Sequence, residues 1–117
     1  MDHTQALKFA EHWVNAWNQH DLEAVLAHYT EDFCMTTPMI QKLTGDPTGT
    51  LHGKAAVGEY WRTALKNIPD LEFKIIAVTS GVDSVSIYYH AVMGKVAIET
   101  FFFNADGKVY KAIANYA

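Results

Sequence analysis

Between residues 5 and 18, apolar side chains recur at three-and-four spacing, as Ala6, Phe9, Ala10, Trp13, Val14 and Trp17. That period predicts an amphipathic helix, and Asp2 with Gln5 has the spacing of a capping box at its start. Asp21 is placed to cap a second helix, whose stripe is Leu22, Val25, Leu26 and Tyr29 before Glu31 and Asp32 interrupt it. Phe33 to Thr37 predicts a short strand that stops at Pro38. The Gly-, Pro- and Thr-rich stretch from Leu43 to Gly53 reads as a loop, placed to cover something. Lys54 to Asn67 returns to helical spacing through Val57, Tyr60, Trp61, Ala64 and Leu65, and Pro69-Asp70 ends it.

From Leu71 the period changes to two. Leu71 to Thr79, Val82 to Val92, Lys95 to Asn104 and Lys108 to Tyr116 are rich in β-branched and aromatic residues and predict four strands. Their separators, Ser80-Gly81, Met93-Gly94 and Ala105-Asp106-Gly107, are short and glycine-bearing, as antiparallel hairpins require. Helices first and sheet second predicts one α+β domain over residues 1–117, with three N-terminal helices packed in the concave face of a curved antiparallel sheet.

Alternation along the strands then sorts the side chains by face. Ala97, Glu99, Phe101 and Phe103 fall on one face, while Ile98, Thr100 and Phe102 fall on the other. Phe33, Met35 and Thr37, then Val85, Ile87 and Tyr89, then Ala112, Ala114 and Tyr116 form the matching inward sets, and Trp13, Trp17 and Tyr29 join them from the helices. Such a set can line an apolar pocket or simply fill a core; Tyr89 and Tyr116 have polar ends that favour the pocket. An inward Glu99 is the one acid in this company. With no cation beside it, desolvation raises its pKa and leaves a neutral carboxyl able to donate a hydrogen bond or shuttle a proton. Pairing with a Lys or Arg, or a place at the pocket mouth, is the other reading of Glu99. His90 shares the outward parity of Ser86 and Tyr88. Ile98, Phe102, Ile113, Tyr88 and Val92 make the outward face apolar, which predicts a homodimer packed through it.

Composition narrows the function classes. Half of the 117 residues are hydrophobic, 13% are aromatic and 19% are charged, a globular balance without disorder. The net charge of −4 and the scatter of the nine basic residues exclude a nucleic-acid surface. No stretch approaches the run of apolar residues that a membrane helix needs, and the N-terminus reads as an amphipathic helix, so a cytoplasmic protein is expected. The lone Cys34 has no internal disulfide partner and reads as a small, partly buried apolar residue. The histidines at positions 3, 12, 20, 28 and 52 lack metal-ligand spacing, and no phosphate loop is present, so neither metal nor cofactor is expected.

Five segments in order carry a resemblance to the NTF2-like superfamily, in its SnoaL-like and ketosteroid-isomerase-like branch. They are Trp17-Asn18-Gln19-His20-Asp21-Leu22-Glu23, Thr36-Thr37-Pro38, Gly49-Thr50-Leu51-His52-Gly53-Lys54, Pro69-Asp70-Leu71-Glu72-Phe73, and Glu99-Thr100-Phe101-Phe102-Phe103-Asn104-Ala105-Asp106-Gly107-Lys108-Val109. The resemblance implies a cone of helices and curved sheet around a pocket for a small apolar ligand. Set against the ketosteroid isomerase pattern, the helix-one Tyr position holds Trp13 and the base position holds Thr37. The second carboxylate position holds Glu99. An isomerase-, lyase- or cyclase-type enzyme using Glu99 as acid or base, a non-catalytic ligand binder, and a protein-interaction module all remain compatible with the chain, because this fold hosts each of them.

Overall fold

The computed structural model describes residues 1–117. Helix α1 spans His3–Asn18, and the predicted capping box is formed. The Asp2 carboxylate accepts the Gln5 N–H at 2.8 Å, while the Gln5 side chain accepts the Asp2 N–H at 3.1 Å. The helix buries Ala6, Ala10, Trp13, Val14, Ala16 and Trp17, which is the stripe read from the sequence with Ala16 added and Phe9 only half-buried. Asp21 caps α2, Leu22–Leu26, by accepting the Ala24 N–H at 3.1 Å. This helix is one turn shorter than the apolar stripe suggests. Tyr29 leaves it and opens strand β1, Tyr29–Thr36, where its ring is buried from the sheet side instead.

Two elements lie in or before the stretch expected to be a loop. Thr37 caps a short helix α3, Pro38–Thr44, by accepting the Met39 N–H at 3.2 Å. Pro38 sits in the first helical turn, where its missing N–H costs nothing, and Gly45 closes the helix in the left-handed region at φ 75°. Strand β2, Thr50–His52, follows and pairs antiparallel with β1. Helix α4 occupies Lys54–Asn67 as predicted. There are thus four helices where three were expected.

The remaining strands are β3 Lys74–Ser80, β4 Ser84–His90, β5 Val96–Phe103 and β6 Val109–Tyr116. They form a six-stranded sheet in the order β2-β1-β6-β5-β4-β3. The predicted hairpins β3–β4, β4–β5 and β5–β6 are all antiparallel. One pair departs from the expected antiparallel sheet: β1 runs parallel to β6, a pairing that needs a long crossover, here made of α3, β2, α4 and the strands β3 to β5. Bulges between Ile75 and Ala77 and between Phe102 and Phe103 bend the strands around the helices.

The inward sets are buried as their alternation requires: Phe33, Met35, Val85, Ile87, Tyr89, Ala97, Phe101, Phe103, Ala112 and Ala114 join the helix stripes in one core cluster. Thr37 and Glu99 are the two polar or charged residues buried with it. On the convex face Tyr88 and Ile98 are 37% and 45% exposed, and Phe102 and Ile113 are half-buried. The Lys111 ammonium covers the Phe102 ring at 5.7 Å from its centroid. Val92, expected on this face, lies on the inner side. Strand β4 ends at His90, and the turn closed by Ala91 N–H to the Lys95 carbonyl, with Met93 at φ 57°, breaks the alternation before Val92. No helix is long and apolar enough to cross a membrane.

Candidate active site

A cavity of about 470 Å³ opens between α1, α3, α4 and the inner face of the sheet, and sixteen of its twenty lining residues are hydrophobic. Seven of the nine residues singled out from the sequence meet on its wall: Trp13 and Trp17 from α1, Met35 and Thr37 from and just after β1, Tyr89 from β4, Glu99 from β5 and Tyr116 from β6. Register explains the grouping, since Glu99 stands opposite Ile87 and Ala114 while Tyr89, Ala97 and Tyr116 form the neighbouring row.

Tyr29 and Phe101 do not line the cavity. Phe101 is fully buried beneath α1, edge-on to Trp13 at 5.1 Å and to Phe9 at 4.9 Å. Its inward face is right, but it lies one row too deep, where core fills the cone. Tyr29 is buried against Phe33 and Trp61, and its hydroxyl accepts the Trp13 indole N–H at 3.0 Å. The Trp13 N–H is therefore occupied by a neighbour and faces no ligand.

The sequence reading missed the wall contributed by α3 (Met39, Lys42, Leu43), by the inner face of α4 (Tyr60, Trp61, Ala64), and by Leu71, Phe73 and the turn after β4. Tyr60 and Trp61 were legible as part of the α4 stripe. Phe73 is brought in by a two-point clasp outside any strand: its N–H donates to the Asn18 side chain at 2.7 Å, and Asn18 donates back to its carbonyl at 2.9 Å.

Glu99 is 3% exposed. Its Oε1 accepts the Tyr89 hydroxyl at 3.1 Å, and its Oε2 has no partner within the protein. The ion pairs of the molecule, Lys54 with Glu31 and Arg62 with Glu59, leave Glu99 without a cation. Burial pushes its pKa up from 4.5 to about 8, with the Tyr89 hydrogen bond pulling weakly the other way. The carboxyl is consequently mostly protonated at neutral pH. Because Oε1 is engaged by Tyr89, Oε2 is the oxygen left to carry the proton.

Four phenols surround this group. Desolvation, and then the field of Glu99, raises Tyr60 to about 12 and holds Tyr29, Tyr89 and Tyr116 above their ordinary value. All four remain neutral donors. The Tyr116 hydroxyl lies beside those of Thr37 and Tyr89. Thr37 has its Oγ1 engaged in capping α3, and a hydroxyl is no base for a carbon acid at neutral pH. On the helical wall the Trp17 Nε1 is a second buried polar atom without a protein partner. The arrangement therefore offers hydrogen-bond donors around an apolar chamber and one group, Glu99, able to exchange a proton near pH 8.

The pattern of the SnoaL-like domain family matches residues 10–112, most of the chain and every residue of the cavity wall except Tyr116. The chain belongs to that family. A SnoaL-like protein of unknown function from Burkholderia thailandensis E264 is 49% identical over 100% of this chain and 98% of its own, with a TM-score of 0.97. Two more distant structures share the fold. A proposed SnoaL-like isomerase from Agrobacterium tumefaciens is 13% identical, covers 97% of this chain and 98% of its own, and has a TM-score of 0.77. A proposed polyketide cyclase from Streptomyces antibioticus is 16% identical, covers 96% and 91%, and also has a TM-score of 0.77. No protein of curated function matches the sequence. The SnoaL-like chain thus has the NTF2-like cone that its sequence resembles.

Proposed function

We propose that this SnoaL-like protein holds a small apolar molecule in the cone and that Glu99 exchanges a proton with it, as in isomerase-, lyase- or cyclase-type chemistry. The observation that carries the reading is a buried carboxyl without a cation on the wall of an apolar cavity. A pKa near 8 suits both directions of transfer near neutrality: the protonated acid can polarise or protonate a substrate oxygen, and the fraction ionised can take a proton back. A single group serving as acid and base removes the need for a second one, which Thr37 does not supply. The aromatic walls exclude water and position the ligand, while Tyr89 holds the carboxyl in place.

A second reading is favoured by one specific observation. With the Trp13 N–H and the Thr37 hydroxyl both engaged by the protein itself, the cone has donors and a binding volume but no separate base, as a non-catalytic binder would. A thermal-shift screen of apolar carbonyl and hydroxyl compounds against wild type and Glu99→Gln, followed by turnover assays on the binders, separates the two. Ligands that bind both forms but are converted only by wild type support the acid–base reading. Binding without turnover in either form leaves the binder. Absence of any binding would overturn both.

A further inference from the structure

The twenty residues of the cavity wall include one carboxyl, Glu99, and one ammonium, Lys42. They sit at opposite depths. Glu99 is 3% exposed, whereas Lys42 is exposed on the last turn of α3 beside Leu43, which is 72% exposed. Met93, 69% exposed, contributes to the wall from the turn after β4. These residues mark the mouth. Lys42 takes part in neither ion pair of the molecule. Between mouth and floor the wall is aromatic and aliphatic, and Asn67, also exposed, is the other polar side chain near the entrance from α4.

The charge that a ligand prefers follows from this layout. An organic cation would meet Lys42 on entry and would need Glu99 to lose its proton before gaining a counter-ion. A neutral ligand leaves Lys42 in water and is indifferent to it. An amphipathic anion uses both ends, placing an uncharged oxygen among the donors at Glu99 and its negative group at Lys42. The net charge of −4 opposes anions at long range, but salt screens such repulsion beyond about 8 Å, so contact with Lys42 decides.

We infer that the ligands of this cavity are apolar carboxylates with an oxo or hydroxyl oxygen at the far end, and that Lys42 is the residue selecting them. This rests on the cavity being a small-molecule site, as proposed above. The inference assigns a specificity role to the exposed ammonium of α3, a residue that the acid–base chemistry at Glu99 does not require.

The test is calorimetric titration with ω-benzoylalkanoic acids of graded chain length and with their methyl esters, against wild type, Lys42→Met and Lys42→Glu. Because an exposed pair is weak, the acid that fits should bind wild type about fivefold tighter than its own ester, and added salt should erode the difference. Lys42→Met should abolish that preference and Lys42→Glu should reverse it, the ratio of acid to ester affinity in each protein being the quantity read. If acids and esters bind equally in wild type and remain sensitive to Glu99→Gln, the carboxylate assignment is wrong while the small-molecule cavity stands. Tighter binding of matched ω-benzoylalkylamines would likewise overturn it. If no acid, ester or amine of any length binds, the cavity reading itself fails and takes this inference with it.

Discussion

Glu99→Gln keeps the shape of the side chain and removes its titration, so it isolates what burying this carboxyl does to the folded state. The folded pKa, about 8, lies above the ordinary 4.5. Between those values the native protein holds a proton that the unfolded chain has released. Stability therefore falls as pH rises through that window and levels off above pH 8. At 1.36 kcal/mol for each pH unit of separation, the full loss is roughly 5 kcal/mol, of which about 4 falls between pH 5 and pH 9. The Gln variant lacks this slope. It carries a pH-independent penalty of about 1–3 kcal/mol instead, because its amide brings two N–H donors where the protonated carboxyl brings one O–H, to a place that offers no acceptor in the protein. Urea unfolding of both proteins at pH 5, 7 and 9 measures the difference directly, with the histidines and surface carboxylates cancelling. Wild type should be the more stable at pH 5, and its advantage should shrink or invert by pH 9. Parallel profiles would refute the reasoning, since they would mean that the carboxyl is solvated or paired in the native state.

Tyr89→Phe removes the one hydrogen bond to Glu99, so the carboxyl resonance followed by NMR should titrate above its wild-type pH; an unchanged midpoint would show that the bond does not form. Thr37→Val deletes the α3 cap, for about 1 kcal/mol, and hydrogen exchange should quicken over residues 38–44 alone. Asn18→Ala breaks the clasp on Phe73 and should lower stability by about 2 kcal/mol in urea titrations, with the β-turn hairpins unaffected; a neutral effect would place Phe73 by packing alone. Two copies packed through the convex face should sediment as a dimer that Ile98→Lys dissociates, and a monomeric wild type at micromolar concentration would remove the expectation.

Alternation made Glu99 legible, because a period of two leaves a residue only two faces to choose from and its neighbours Ala97 and Phe101 fix which one. Alternation says nothing about depth along the cone. That is why Phe101 and Glu99, two residues apart, read alike although one is core and the other is cavity wall. Tyr29 was misplaced for a related reason: a residue three positions after Leu26 fits a helical stripe as well as it fits the first inward position of a strand. Helix α3 escaped notice because seven residues show too little periodicity. Its signal was local: Thr37 followed by Pro38 is as good a helix start as it is a strand end, and Gly45 stands where such a helix should stop. The walls from Leu71, Phe73 and Ala91 to Met93 come from segments outside regular strands, whose placement depends on tertiary partners such as Asn18.

The parallel seam between β1 and β6 has a consequence for how the molecule comes into being. Met35 meets Ala112 and Tyr29 meets Val109 across it, so early and late segments of the polypeptide form adjacent rungs. During synthesis, β1 has only the three-residue β2 to pair with until the last strand emerges, and β5 waits with one edge open. Assembly dominated by such distant pairings is slow compared with that of helical proteins of the same length. A ribosome-bound chain halted before residue 109 should accordingly expose the apolar row of β5 to chaperones, and the chamber around Glu99 should be among the last features to form.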